Sequence, residues 1–364
     1  MSTRMPIRVA ADVSALADHR ATAGIGRYIN SLIAELRRRE DIKLLAIRPP
    51  WPPLKESWAL RFASAQALVA PGALAHRAAI VHAMASDPVL LWPLKRQVVT
   101  LHDVVPWTGT PRPGVTGRYL ALQSHRLRGA GAVIAVSQVT ADEAVEVLQL
   151  DRARVHVVPE ATSNVFAAVE QPADAGRRRA AGVPDTPYLV WVGSMRAHDP
   201  RKGLDGLLDA LTASNHHQTP LVLAGACGPE SDRLEAAALA RGLRVVLPGF
   251  VDDDTLAALY RGAAAAVVPS HHEGFGLPAL EALASGTALV AARSANLPAL
   301  VGDAAVLVPP GDDAALAAAI DSVLGDPVVA ARLRSRGPEV AAAYSWRHTA
   351  DLTVQVYREL VDSL

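Results

Sequence analysis

Only one cysteine, Cys227, occurs in the 364 residues, so no disulfide can form within the chain. It closes the apolar run Leu221-Val-Leu-Ala-Gly-Ala-Cys227, where a small buried residue is expected rather than a nucleophile. Aromatic residues make up only 4%, against 50% hydrophobic residues, an aliphatic, Ala-rich composition typical of a soluble globular chain. Charge of either sign is not in excess. With 36 basic and 36 acidic residues the formal net charge is +0, and the basic surplus expected of a nucleic-acid partner is missing. No apolar run approaches the ~20 residues that span a bilayer. The opening Met1-Ser-Thr-Arg-Met-Pro6 is too short and polar for a signal peptide. A cytoplasmic location is therefore expected, with peripheral contact at the inner face of a membrane left open.

What is present is a repeated alternation of strand and helix signals, over a length that suits two domains rather than one core. Strands are expected at Ile7–Val13, Lys43–Ile47, Ile80–His82, Val98–His102, Ala132–Val136 and Val155–Val158, short apolar runs of the buried parallel kind. Helical spacing runs from Tyr28 to Arg39, through an Ala- and Leu-rich stretch to about Ala79, and from Ala141 to Leu148. Arg48-Pro-Pro-Trp-Pro-Pro53 should be a rigid loop. Pro159 to Pro187 is proline-rich and carries Arg177-Arg-Arg179, which reads as a linker with a short helix and a solvated basic face. The second half repeats the alternation, with six strands from Tyr188 to Val308 and helices near Lys202–Thr212, Ser231–Arg241, Asp253–Arg261, Leu277–Ala284 and Asp312–Leu324. The expected architecture is α/β: two doubly wound, Rossmann-like domains facing across a cleft, at residues 1–165 and 187–344. Residues 166–186 would link them, and 345–364 would form a closing helix able to pack back on either domain, the N-terminal one being expected.

One stretch organises the chemistry. Ser270-His-His-Glu273-Gly274-Phe275-Gly276-Leu277-Pro-Ala-Leu-Glu281 follows a buried strand, turns through two glycines and enters a helix that stops near Gly286. Ligands of open α/β sheets bind at such carboxyl ends of strands. The glycines let backbone amides approach a ligand, and the positive end of a helix suits an anion such as phosphate. Glu273 and Glu281 could then face one crevice that holds a phosphorylated, hydroxyl-rich molecule. Arg196, Arg201 and Lys202 sit after the first strand of the second half and suit a diphosphate, although capping and surface charge explain them equally well in isolation. His102 closes a first-domain strand and could be a general base or a sugar contact, with adjacent Asp103 poorly placed to orient it. Thr22-Ala-Gly24-Ile-Gly26-Arg27 follows the first strand, but Ile29 stands where a dinucleotide fingerprint needs its third glycine. Asp252-Asp-Asp254 reads as helix capping, the paired histidines 216–217 and 271–272 lack zinc spacing, and no metal is expected. The basic helical run Gly117–Arg128 reads as an exposed face, with an anionic membrane as the sharper alternative.

Taken together these residues resemble the retaining glycosyltransferases of family 4, which have the GT-B fold. Glu273-Gly-Phe-Gly-Leu-Pro-Ala-Leu-Glu281 is similar to that family's E-x7-E signature. Gly24-Ile-Gly-Arg-Tyr28, Leu101-His-Asp-Val-Val-Pro106, Ala135-Val-Ser-Gln-Val-Thr140, Pro200-Arg-Lys-Gly-Leu204, Pro248-Gly-Phe-Val251 and Ser345-Trp346 with Tyr357 are similar to further family elements, in order, over nearly the whole chain. The resemblance implies transfer of a sugar from a nucleotide-sugar with retention at the anomeric carbon, without a metal. It places the acceptor on the N-terminal side and the donor on the C-terminal side.

By position, Glu281 would bind the ribose hydroxyls. Glu273 and the amides of Phe275, Gly276 and Leu277 would hold the donor sugar and distal phosphate, with Gly274 in the same turn. Lys202 and an arginine would neutralise the leaving diphosphate. The family's arginine position is occupied by Ser194, so Arg196 and Arg201 both remain candidates. His102 would lie near the transferred sugar, Gly24 and Gly26 near the phosphates and Val251 beside the base. Glu273 is expected to hold the donor and not to attack it, which implies front-face substitution assisted by the leaving phosphate. The His-Asp-x-x-Pro element resembles that of mannosyltransferases of envelope polysaccharide and glycolipid pathways, which favours GDP-mannose as co-substrate and a glycan, glycolipid or small-molecule acceptor. The alternatives are a catalytically silent sugar-nucleotide-binding subunit and a GT-B nucleotide-sugar 2-epimerase.

Overall fold

A computed structural model describes residues 5–17, 19–22, 24–48, 58–87, 92–108 and 114–364 of the chain. The rigid loop expected at Arg48–Pro53 falls outside these residues beyond Arg48. The chain forms two compact units, Met1–Ala161 together with Ser345–Leu364, and Thr162–Tyr344.

The first unit holds six parallel strands: β1 (Ile7–Asp12), β2 (Ile42–Ile47), β3 (Ile80–Ala83), β4 (Gln97–Leu101), β5 (Ala132–Ala135) and β6 (Val155–Val157), in the order β2-β1-β3-β4-β5-β6. Helices α1 (Gly24–Arg37), α2 (Trp58–Ala75), α3 (Gly114–Gly129) and α4 (Gln138–Leu148) connect them. Consecutive residues such as Val9, Ala10 and Ala11 of β1 are all fully buried, so both faces of the sheet are covered. This is why these strands read as unbroken apolar runs and not as alternation. Helix α1 buries Tyr28, Ile29, Leu32, Ile33 and Leu36 on one face. It starts four residues before the apolar spacing does, because Gly24–Arg27 is wound into its first turn rather than left as a loop. A Cβ on Gly26 would lie 2.1 Å from the Ala21 carbonyl oxygen, so that glycine is what lets the helix close against the preceding turn.

The second unit repeats the plan with β7 (Leu189–Val192), β8 (Leu221–Ala224), β9 (Val245–Gly249), β10 (Ala265–Val268), β11 (Leu289–Ala292) and β12 (Ala305–Val308), all parallel, in the order β12-β11-β10-β7-β8-β9. Its helices are α5 (Asp174–Ala180), α6 (Leu204–Ala213), α7 (Pro229–Ala240), α8 (Asp253–Gly262), α9 (Leu277–Ala284), α10 (Leu297–Val301), α11 (Asp313–Gly325) and α12 (Pro327–Ala341). The expected N-cap on α8 is present: Asp252 Oδ1 accepts from the Thr255 amide at 2.8 Å. Cys227, expected buried, is exposed, because β8 ends at Ala224 and leaves it in the following loop.

The linker expected at 166–186 is corrected. The boundary falls at Ala161, and the following segment packs into the second unit. Asp174 opens α5 and is fully buried against Arg261 of α8, with Nε–Oδ2 at 2.6 Å and Nη2–Oδ1 at 2.9 Å. The same guanidinium donates to the Val165 and Ala167 carbonyls at 3.1 and 3.2 Å. Burial pushes the Asp174 carboxyl up, but its bonds with Arg261 outweigh that and hold it below the usual carboxylate range. Helix α12 gave no clear apolar signal because its buried positions are Leu333, Gly337 and Ala341, two of them nearly without side chain. The last helix, α13 (Trp346–Asp362), belongs to the first unit and buries Thr349, Ala350, Thr353, Val354, Tyr357 and Leu360.

Candidate active site

In the second unit the sequence-predicted residues line up along the carboxyl edge of the sheet. In the order β10-β7-β8-β9, the loops after these strands carry Glu273, then Arg196 to Lys202, then Gly225 to Gly228, then Phe250 and Val251. The β10 loop is shaped by Gly276, whose φ of +101° and whose approach to Leu297 (2.9 Å from a hypothetical Cβ) leave room only for glycine. Two buried side chains from the loop after β11 pin it: Asn296 Nδ2 donates to the Phe275 carbonyl at 2.8 Å, and Ser294 Oγ to that of Ser270. The Phe275 ring also meets Tyr344 edge-on at 5.8 Å. Neither Asn296 nor Ser294 was singled out from sequence. With the loop held, the amides of Phe275, Gly276 and Leu277 have no acceptor among the described residues, at the start of a helix whose second residue is Pro278. Three open donors at a helix start are suited to an anion.

Gly203 brings the cation to this loop. It sits at φ +65°, and a Cβ there would lie 2.3 Å from the Pro269 carbonyl, so the turn Pro200–Lys202 can press on the end of β10. The His271 amide donates to the Arg201 carbonyl at 2.7 Å across the same contact. Lys202 Nζ then donates to Glu273 Oε1 at 2.9 Å, and Ser270 Oγ donates to the same oxygen at 2.8 Å. Lysine and glutamate thus form a half-buried, charge-compensated pair beside the open amides.

The two arginines left open by the sequence differ in their surroundings. Arg201 is chelated by Asp199, Nε–Oδ1 at 2.9 Å and Nη2–Oδ2 at 2.8 Å. Burial raises the Asp199 carboxyl, but its hydrogen bond and charge contact with Arg201 hold it below the usual range. Arg196 is anchored through its backbone: its neighbour Met195 donates to Ala226 O at 2.8 Å, and Gly228 closes on the Arg196 carbonyl. Its guanidinium is exposed and makes no ion pair among the described residues. Glu281 is 1% exposed in α9, with the Tyr260 hydroxyl 3.4 Å from Oε2. Helix α12 backs α9, its Gly337 lying so close that a Cβ would be 2.9 Å from Leu283 O. Val251 follows β9 and is partly exposed, beside exposed Phe250.

In the first unit His102 follows β4, and both ring nitrogens meet acceptors. Nδ1 lies 2.9 Å from Glu160 Oε1 and Nε2 3.1 Å from the Met84 carbonyl, at the carboxyl ends of β6 and β3. With a partner at each nitrogen, the orientation of the ring is fixed. Asp103 turns away and accepts from the Val105 amide at 3.0 Å. Glu160, 4% exposed, is the partner that the sequence reading missed. Its one available signal was a carboxylate two residues after a predicted strand end, 58 residues from the histidine.

Comparisons with known proteins bear on the family and the fold. A family model for glycosyl transferases group 1 matches residues 177–340, and one for glycosyltransferase family 4 matches residues 22–162. O-antigen chain mannosyltransferase B of Escherichia coli is 30% identical over 275 residues, 73% of this chain and 71% of that protein. Serotype-specific mannosyltransferase WbdA of Escherichia coli is 29% identical over 281 residues, 74% of this chain and 34% of that protein, so the match spans about a third of WbdA. Sucrose-phosphate synthase from Thermosynechococcus elongatus superposes with a TM-score of 0.81 at 24% identity, covering 99% of this chain and 100% of that one. The architecture is GT-B, and the chain belongs to glycosyltransferase family 4.

Proposed function

We propose that the protein is a retaining, metal-independent glycosyltransferase that moves mannose from GDP-mannose to a hydroxyl of a glycan, glycolipid or small-molecule acceptor. The observation that carries the reading is the Lys202–Glu273 pair set beside the three open amides of Phe275, Gly276 and Leu277. A pyrophosphate placed there would take the amides and Lys202, which frees Glu273 to accept from sugar hydroxyls. Arg196 is the arginine of choice for the diphosphate, since Arg201 is already neutralised by Asp199. Glu281 is assigned to the ribose, Val251 to the base and His102 to a contact with the transferred sugar. In the proposed step the bond from the anomeric carbon to the phosphate oxygen breaks as the acceptor oxygen bonds on the same face. The acceptor proton passes to the leaving phosphate, giving GDP and the mannoside. Mannose is preferred because the relatives above are named mannosyltransferases.

The donor is tested by thermal shift with GDP-mannose, UDP-glucose and ADP-glucose. The largest stabilisation is expected with GDP-mannose, on the order of 3 kcal/mol at a hundredfold excess over Kd. Stabilisation by UDP-glucose with none by GDP-mannose would sink the mannose assignment.

A further inference from the structure

We propose that the C-terminal helix α13 positions His102, through two separate arms that both end on its ring. The inference rests on the reading of His102 given above. The first arm is short. Thr349 Oγ1 donates to the Pro159 carbonyl at 2.8 Å, and the next residue, Glu160, holds His102 Nδ1 at 2.9 Å. The second arm crosses the core of the first unit. The Tyr357 hydroxyl lies 2.6 Å from His82 Nδ1, His82 Nε2 lies 2.8 Å from Thr100 Oγ1, and Thr100 Oγ1 lies 2.9 Å from the Tyr28 hydroxyl. The Tyr28 ring then stands edge-on to the His102 ring, centroids 4.7 Å apart at 85°. Trp346, the first residue of α13, also meets the Tyr28 ring edge-on, with centroids 5.9 Å apart.

All four members of the second arm are fully buried. Burial pushes the His82 imidazole down to about 3, so the ring is neutral and carries one N–H. A neutral ring donates from one nitrogen and accepts at the other, so the bonds to Tyr357 and Thr100 run in one direction through His82, while the bond between the Thr100 and Tyr28 hydroxyls runs either way. Removing the Tyr357 hydroxyl leaves His82 Nδ1 without its partner, which loosens the ring that holds Thr100 and, through Thr100, the Tyr28 hydroxyl. Buried polar groups are costly unless every one is satisfied, and an apolar set would fill this layer at less risk. Keeping them here fixes the rotamers of Thr100 and Tyr28, and through them the plane of His102.

The test uses the full chain labelled with 15N-histidine, with the His102 ring signals assigned by their loss in His102→Gln. Tyr357→Phe removes one hydroxyl from the long arm; Thr349→Val removes one bond from the short arm and serves if the first variant folds poorly. In each variant the His102 ring 15N resonances should move. The kcat for donor turnover should fall about tenfold with the donor KM changed by less than about twofold. His102 resonances unmoved in both variants, or a loss confined to KM, would overturn the proposal. If the wild type turns over no donor while the resonances move in the variants, the brace stands and the proposed function fails.

Discussion

Lys202→Met should lower kcat by roughly 10²–10³, a loss of ~3–4 kcal/mol of transition-state stabilisation. The 2.9 Å pair with Glu273 and the close approach of Gly203 to Pro269 fix the position of the lysine at the glycine turn. An ammonium held there gains its full value only when negative charge develops on the departing diphosphate, so the loss should fall on kcat more than on KM. Arginine should not rescue it, because a planar fork does not occupy the place of a compact point charge. Steady-state release of nucleotide decides the matter. A loss of less than about tenfold would mean that the Lys202–Glu273 pair is a structural clasp and not leaving-group machinery.

The largest expected effect on stability lies elsewhere. Asp174→Ala should destabilise the second unit by about 3–5 kcal/mol, because it leaves the Arg261 guanidinium buried without its counter-charge. Arg261 side-chain exposure is 6%, and its other hydrogen bonds among the described residues go to two carbonyls, which do not neutralise charge. The double substitution Asp174→Ala with Arg261→Met should recover part of the loss, since no isolated charge then remains inside. Chemical denaturation reads both. A cost under about 1 kcal/mol for Asp174→Ala would restore the picture of a loosely attached linker.

That segment also shows where sequence reading stops. Prolines at 159, 172, 184 and 187 gave it the composition of a linker, and composition is blind to a salt bridge 87 residues apart in the chain. The same limit hid Glu160, whose importance comes only from β6 lying two strands from β4 in the sheet. The legible features were those in which local backbone geometry dictates the residue. Buried parallel strands need unbroken apolar runs, so all twelve strands among the described residues were read from Val, Ile, Leu and Ala clusters. A left-handed turn needs glycine, and Gly276, read from the sequence as a turn glycine that lets amides approach a ligand, does adopt a positive φ. Helix α12 was missed for the opposite reason: Gly337 and Ala341 pack by being small and leave no apolar pattern to see. The choice between Arg196 and Arg201 belongs to the same class, since only the position of Asp199 separates them.

The most direct test follows purified protein and GDP-mannose by proton NMR, watching nucleotide release and the first-formed anomer of the sugar product. The account predicts GDP appearing together with an α-configured product, and both disappearing in Lys202→Met. A first-formed β product would contradict retention. GDP-mannose that binds tightly yet is never turned over, with water or any offered acceptor, would contradict the enzyme reading itself and leave a silent sugar-nucleotide-binding subunit in its place.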